Sequence, residues 1–429
     1  MHSKSTSSSS PSDSAFSAFA VGDADRLGHR GNPRPRKNKI NKIHALRYDT
    51  QRLLSSGIFA GDLPAHPARL CCRVAIPLKY AVKIHFDGKK HRYVHMFRCA
   101  SRLVCPVCGA AIACQRAAEI MQAGKYLLKN GYSFFFATFT AQHTLITPVG
   151  NSIKKTNAAF RALKSGRVWQ NLKSQYAIEH QIKVVETTVD KPDSKKKTGF
   201  HYHLHVLFFI KRNPLNEEEA KNLSYKLKKM WIHELKKVGL TASLERGCVI
   251  EIPKTRKGKI TSSDMLKKLA KYVSKNIAFE MTHSQTKDGD DGEKDRRMSI
   301  WELQRLALTS HPELLRQYAE YMRAVKGVAW MTWSRGLKQL VGLQEKDDEE
   351  MLQGKEAIHI YTMSSQELRA VADQGGQRKL IMAADAGGLE AIKAGIAAAL
   401  SGCDIATGEP WRPPGIDDPP EFLAGKFLQ

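Results

Sequence analysis

Gly199-Phe200-His201-Tyr202-His203-Leu204-His205-Val206-Leu207-Phe208-Phe209-Ile210 is the stretch on which the reading of this chain turns. Its aromatic and apolar run, entered from a glycine, predicts a β-strand. Residues two apart in a strand share a face, so His201, His203 and His205 line one side and Tyr202, Leu204 and Val206 the other. Neutral imidazole is the commonest protein ligand for a catalytic divalent metal, which makes the row a candidate metal site. A second predicted strand, residues 182–189, contains Lys183-Val184-Val185-Glu186-Thr187-Thr188 and leads through a polar turn at 190–198 back into the histidine strand. The two strands are therefore expected to pair antiparallel, bringing Glu186 against the imidazoles. Two histidines and a carboxylate leave positions open for substrate oxygens, as a Lewis-acid metal such as Mg²⁺ or Mn²⁺ requires. The candidate ligands are His203, His205 and Glu186, with His201 as the alternative member of the histidine pair.

Charge points to the class of substrate. Lys and Arg number 68 against 42 Asp and Glu, a formal net charge of +26 over 429 residues. From Gln344 onward there are 8 basic and 15 acidic residues, so the first 343 carry +33. A basic excess of this size is the footprint of a polyanion partner, bound through counterion release. The acidic remainder is expected to be separable, so that removing the residues after Leu343 leaves DNA affinity intact. No stretch approaches the length of uninterrupted apolar sequence that a membrane span needs, and no secretory leader is recognisable. Four of the eight cysteines fall between Cys99 and Cys114. That crowding suits reduced metal-binding thiolates in a cytoplasmic protein rather than a disulfide framework.

The spacing Cys99-x5-Cys105-x2-Cys108-x5-Cys114 contains a Cys-Pro-Val-Cys knuckle, which is half of a zinc site. Cys99 and Cys114 are taken as the other half; Cys71 and Cys72 are the alternative pair, and His95 is also available. Arg98, Arg102 and Arg116 around the knuckle suggest a zinc-stapled module that contacts DNA. Further elements follow from periodicity: a hairpin around Asp87-Gly88, a helix over 110–129, a strand over 132–141, and helices over 154–173, 216–238 and 262–279. An antiparallel sheet with helices packed on it, an α+β fold, accommodates this order. On the 262–279 helix Met265, Leu266, Leu269 and Val273 form an apolar face, with Tyr272 at its margin. Lys268, Lys271 and Lys275 surround that tyrosine, favouring its phenolate and a nearby phosphate.

In this order the aromatic/Thr strand 136–140, His203-Leu204-His205 and the Tyr272-x-x-Lys275 helix resemble the rolling-circle replication initiators of the HUH endonuclease superfamily, the plasmid and phage Rep proteins. The resemblance covers roughly residues 97–340. It implies an HUH-like core in which Tyr272 attacks the scissile phosphate, Lys275 assists, and the products are a 5′-phosphotyrosyl link and a 3′-OH primer. It further implies single- and double-stranded origin DNA, a host helicase and the replication machinery as partners. The chain then divides into a basic, largely disordered arm (1–66), a Cys-rich zinc module (67–130), a nicking domain (131–285), a helical DNA-binding extension (286–343) and an acidic, partly helical C-terminal region (344–429). One departure stands out: relatives carry a carboxylate or second tyrosine four residues before the nucleophile, where this chain has Lys268, and the nearest acid on the helix is Asp264. A transposase or relaxase of the same superfamily, or a non-enzymatic zinc-stabilised DNA-binding regulator, is the competing reading.

Overall fold

The computed structural model of the protein describes residues 35–55, 66–76, 81–142, 147–194, 199–253, 261–273, 297–307, 312–344 and 358–412. The fold is α+β, with antiparallel sheets carrying packed helices. Its centre is a sheet of strands β3 (Ser133–Thr140), β4 (Ile178–Asp190), β5 (Phe200–Ile210), β6 (Cys248–Glu251), β7 (Arg297–Ser299) and β8 (Met331–Trp333). The order is β6-β3-β5-β4-β7, with β8 also paired to β4. The expected hairpin forms: β4 and β5 run antiparallel with Glu186 opposite His203 and Val184 opposite His205. On the other side of β5, Thr138 stands opposite His205 and Thr140 opposite His203.

Alternation separates the two faces of this sheet. On one face, Phe139 packs against Phe160 of α3 (Val149–Leu163) at 5.2 Å and Trp231 of α5 (Glu217–Lys237) at 5.3 Å between ring centroids. Trp169 of α4 (Arg167–Tyr176) reaches Phe208 on the same side, and Tyr202 accepts a hydrogen bond from Asn157 at 2.7 Å. On the other face the cross-strand rows begin apolar, Phe134 with Phe209 and Phe136 with Leu207. They turn polar at Thr138 with His205 and Thr140 with His203. The apolar end anchors the sheet, and the polar end is half-exposed, where a substrate can reach it.

The predicted helix at 110–129 begins earlier, as α2 (Pro106–Lys129), because Pro106 occupies the first helical position, where its fixed φ and missing N–H are harmless. The single helix expected at 154–173 is two, α3 and α4, broken at Gly166. Helix α6 (Ser262–Val273) packs on α2, and the close approach is at Gly124: a Cβ there would stand 2.1 Å from the Leu269 side chain.

Two expectations change. Residues 35–55 are not part of an unstructured arm: they form α1 (Pro35–Ser55), with Leu46, Arg47, Tyr48 and Leu53 buried. Arg47 donates to Gln377 at 2.5 Å, and Gln377 in turn donates to the Cys72 carbonyl at 2.9 Å. Gln377 opens α11 (Gln377–Leu400), so a partner 330 residues away supplies the packing that local composition lacks. Second, the C-terminal region is not an appendage. Its strand β9 (Ile358–Met363) pairs antiparallel with β1 (Val82–Phe86), which pairs with β2 (His91–Val94) in the hairpin expected at Asp87-Gly88. Truncation after Leu343 removes the third strand and Gln377 together, leaving a two-stranded hairpin that is marginal on its own. The truncated chain is therefore expected to expose the Cys-rich segment to protease and to retain less of any metal that its cysteines hold. Limited proteolysis with metal analysis checks this; a truncated chain as resistant and as metal-loaded as the full one would contradict it.

Candidate functional site

The polar end of the sheet gathers the predicted histidines and carboxylate. His203 Nδ1 lies 3.0 Å from Thr140 Oγ1, and His205 Nδ1 lies 3.1 Å from Thr138 Oγ1. Each threonine thus holds its imidazole through Nδ1, which fixes the ring's orientation and leaves Nε2 to act as a ligand. His205 Nε2 meets Glu186 Oε2 at 2.5 Å, reaching diagonally along the sheet because Glu186 stands directly opposite His203. The rings of His203 and His205 are 6.3 Å apart. His201 is more deeply buried and lies 3.9 Å from Asp190, a carboxylate at the end of β4 not singled out by motif. Asp190 also accepts from the Gly199 N–H at 3.0 Å, closing the β4–β5 turn. The geometry therefore divides the row: Glu186 goes with His203 and His205, and Asp190 with His201.

Tyr272 belongs to α6 by its backbone, and nothing is described of its side chain or that of Lys271. Lys275 lies outside the described residues. Lys268 is exposed on α6. Asp264 is engaged at the start of the helix: its carboxylate accepts from the Thr261 hydroxyl at 2.7 Å while Thr261 Oγ1 accepts from the Asp264 N–H at 3.1 Å. The Thr261 hydroxyl, and then the Thr261 N–H at 3.2 Å, hold the Asp264 carboxyl below its ordinary value.

A second site lies at the Cys-rich module. Among the described residues, Cys71, Cys99, Cys105 and Cys108 form the one group of three or more metal-ligating side chains whose ligand atoms all lie within 4.8 Å of one another; His203, His205 and Glu186 do not converge as closely. The separations are 3.5 Å for Cys71–Cys108, 3.7 Å for Cys71–Cys105 and 3.8 Å for Cys99–Cys108. Thiolates each ~2.3 Å from one tetrahedral ion stand about 3.8 Å apart, so these four fit a zinc ion. Hydrogen bonds, first from Cys105 and then from Cys108, hold the Cys71 thiol well below its usual range.

Cys114 is not in this group, which corrects the expected set. It follows Cys108 by six residues on α2, a rotation of about 240° about the helix axis, so the two cannot face one point. Burial pushes the Cys114 thiol up instead. The fourth sulfur comes from Cys71, in a short turn after a 3₁₀ segment (Pro67–Leu70); the adjacent Cys71-Cys72 pair was the signal for it. We expect about one zinc per chain in protein as isolated, lost with Cys71→Ser and retained with Cys114→Ser. Elemental analysis of the two variants decides; the reverse pattern would refute this ligand set.

The arginines expected to face DNA have other occupations. Arg116 is buried and pairs with Glu119 at 2.9 Å. Arg102 is buried over the Trp330 ring, 4.8 Å from its centroid. Arg98 is half-buried beside the cysteine sulfurs, whose electrostatic influence, that of Cys72 first, pushes its pKa up. Sequence reasoning sees a cation but not its burial. No helix among the described residues is long and apolar enough to cross a membrane.

Comparison with known proteins adds a family. Residues 90–374 match the model of the family described as Replication protein. The chain is similar to a curated protein from Streptomyces lividans named Protein rep, 23% identical over 305 residues, covering 59% of this chain and 66% of the relative, just under two thirds of its length. No solved structure matches.

Proposed function

This chain belongs to the Replication protein family, and on that premise we propose that it initiates rolling-circle replication by nicking one strand of origin DNA. The observation that carries the reading is the threonine-tethered pair His203 and His205 with Glu186 at 2.5 Å from His205, set at the half-exposed end of the sheet. These three residues would hold a divalent cation, Mg²⁺ or Mn²⁺, which when bound polarises a phosphodiester. Thr138 and Thr140 keep the imidazoles in one orientation, so no reorganisation is needed when substrate arrives.

The Tyr272 oxygen attacks the scissile phosphorus in line. The P–O3′ bond breaks, the phenolic proton passes to solvent, and O3′ takes up a proton and departs as a free 3′-OH. The 5′-phosphate remains esterified to Tyr272, conserving the bond energy for rejoining. Lys275 balances charge that develops on the phosphate oxygens. The Cys71–Cys99–Cys105–Cys108 group would hold zinc as a structural staple. We place the protein in the cytoplasm, acting with a host helicase and replication machinery on single- and double-stranded origin DNA. Lys268, exposed on α6, and Lys271 on the same helix are the proposed DNA contacts. The test is nicking of circular single-stranded DNA by the intact protein, with and without a chelator.

A further inference from the structure

Helices α3 and α4 cover the face of the central sheet that points away from the histidines. The segment that forms them, residues 149–176, contains six basic residues and no acidic one. Lys154, Asn157, Arg161 and Lys164 follow one another at i, i+3, i+7 and i+10, a single stripe along α3 and its C-terminal cap, about 15 Å long. Lys154 and Arg161 are exposed, and Lys164 is half-buried. Strand β4 adds a further cation, Lys183, whose Nζ donates to Asn157 Oδ1 at 2.8 Å. Asn157 is itself fixed, because its Nδ2 donates to the Ile153 carbonyl at 2.9 Å and to the Tyr202 hydroxyl at 2.7 Å.

These cations are held together without an acid to balance them. The Nζ atoms of Lys164 and Lys183 lie 4.7 and 6.0 Å from the centroid of the same Phe160 ring. Among the described residues, no carboxylate pairs with Arg161, Lys164 or Lys183. Burial, and then the Lys164 and Arg161 charges, push the Lys183 amine down to about 8. Like charges gathered partly out of water cost free energy in the unliganded protein, and a bound anion offsets that cost. The aromatic rings of the segment, Phe160, Trp169 and Tyr176, are all buried.

We propose that this stripe is a second DNA contact, in which Lys154, Arg161, Lys164 and Lys183 hold backbone phosphates of duplex DNA on the side of the sheet away from the nicking site. Single strands are gripped by bases stacked on accessible aromatic rings, and this face presents none. What it offers is charge at fixed spacing, which positions a duplex through its phosphates without reading its sequence. At 3.4 Å per base pair the stripe spans about four base pairs. The flanking duplex is thereby anchored while the strand to be cut reaches the histidines on the other face. The inference rests on the proposed function for the identity of the polyanion as DNA, not for any step of cleavage.

The test uses the full-length protein with no Mg²⁺ or Mn²⁺ added, and a duplex and a single strand of equal length. Replacing Lys154 and Arg161 together by glutamine, both exposed changes, should lower the slope of log affinity against log salt by about 1.8 on the duplex and leave the single-strand slope as it was. Arg369→Gln with Lys393→Gln removes the same charge from exposed positions elsewhere and should change neither slope. Labelling with acetic anhydride, mapped by mass spectrometry, reads the contact itself: duplex should protect Lys164 and Lys183 and leave Lys393 labelled. An unchanged duplex slope, an equal fall on single strands or in the control, or labelling of Lys164 and Lys183 that duplex does not reduce overturns the stripe and leaves nicking standing. A native protein with no affinity for either DNA would instead overturn the proposed function itself.

Discussion

Replacing His203 and His205 together by alanine is expected to yield a folded protein that binds DNA and does not cut it. Both residues are only partly buried, and the opposite face of β5, with Tyr202, Leu204 and Val206, carries the packing. His203→Ala removes the bond to Thr140, and His205→Ala those to Thr138 and Glu186, at a cost of about 0.5–1.5 kcal/mol each that a domain of this size tolerates. The loss to catalysis is far larger. Lewis-acid stabilisation is worth several kcal/mol in the transition state, so at ~1.4 kcal/mol per tenfold the nicking rate should fall by roughly three orders of magnitude or more. A chelator should have the same effect on the native protein, reversed by Mn²⁺ or Mg²⁺. Gel-shift affinity and nicking rate, measured side by side, separate the two; nicking at the native rate by the double variant would eliminate the metal from the mechanism.

Tyr272→Phe has an equally large expected effect through a single oxygen. The ring is retained, so α6 should still dock on α2 at the Gly124 contact with Leu269. DNA affinity and zinc content should be unchanged, while nicking and covalent adduct formation fall by roughly four orders of magnitude or more, as when a nucleophile is deleted elsewhere. Tyr318 and Tyr202 offer no substitute. Tyr318 is fully buried and hydrogen-bonded to Gln304, and burial pushes its phenol well above the usual range. Tyr202 lies on the α3 side of its strand, hydrogen-bonded to Asn157. Adduct formation at the native rate by the phenylalanine variant would show that another group attacks the phosphate.

Elements dominated by local pattern were legible in the sequence. The alternation from His201 to Val206 specified both the strand and its faces, and the polar turn after Asp190 implied the antiparallel pairing that brings Glu186 against the imidazoles, although the register opposite His203 came only from the structure. The aromatic/Thr strand was legible as part of the motif, and its register against β5 puts the Thr138 and Thr140 hydroxyls on the imidazoles. Choices made by distant contacts were not legible. The spacing of cysteines identifies a knuckle but not its partners, so Cys114 stood where Cys71 belongs. Nothing local to α1 announces that Gln377 will hold it, nor that β9 will complete a sheet begun at Val82. Charge counts likewise treat Arg102 and Arg116 as surface cations, although one lies over Trp330 and the other on Glu119.

The central claim is that Tyr272 becomes joined to DNA. Incubating the intact protein with circular single-stranded DNA carrying its origin and Mn²⁺, digesting protein and DNA, and sequencing the adduct peptide by mass spectrometry tests it most directly. The account predicts a nucleotide linked through its 5′-phosphate to Tyr272, with a free 3′-OH on the cut strand. A nucleotide on any other residue, or cleavage that leaves a 5′-phosphate with no protein attached, would contradict it.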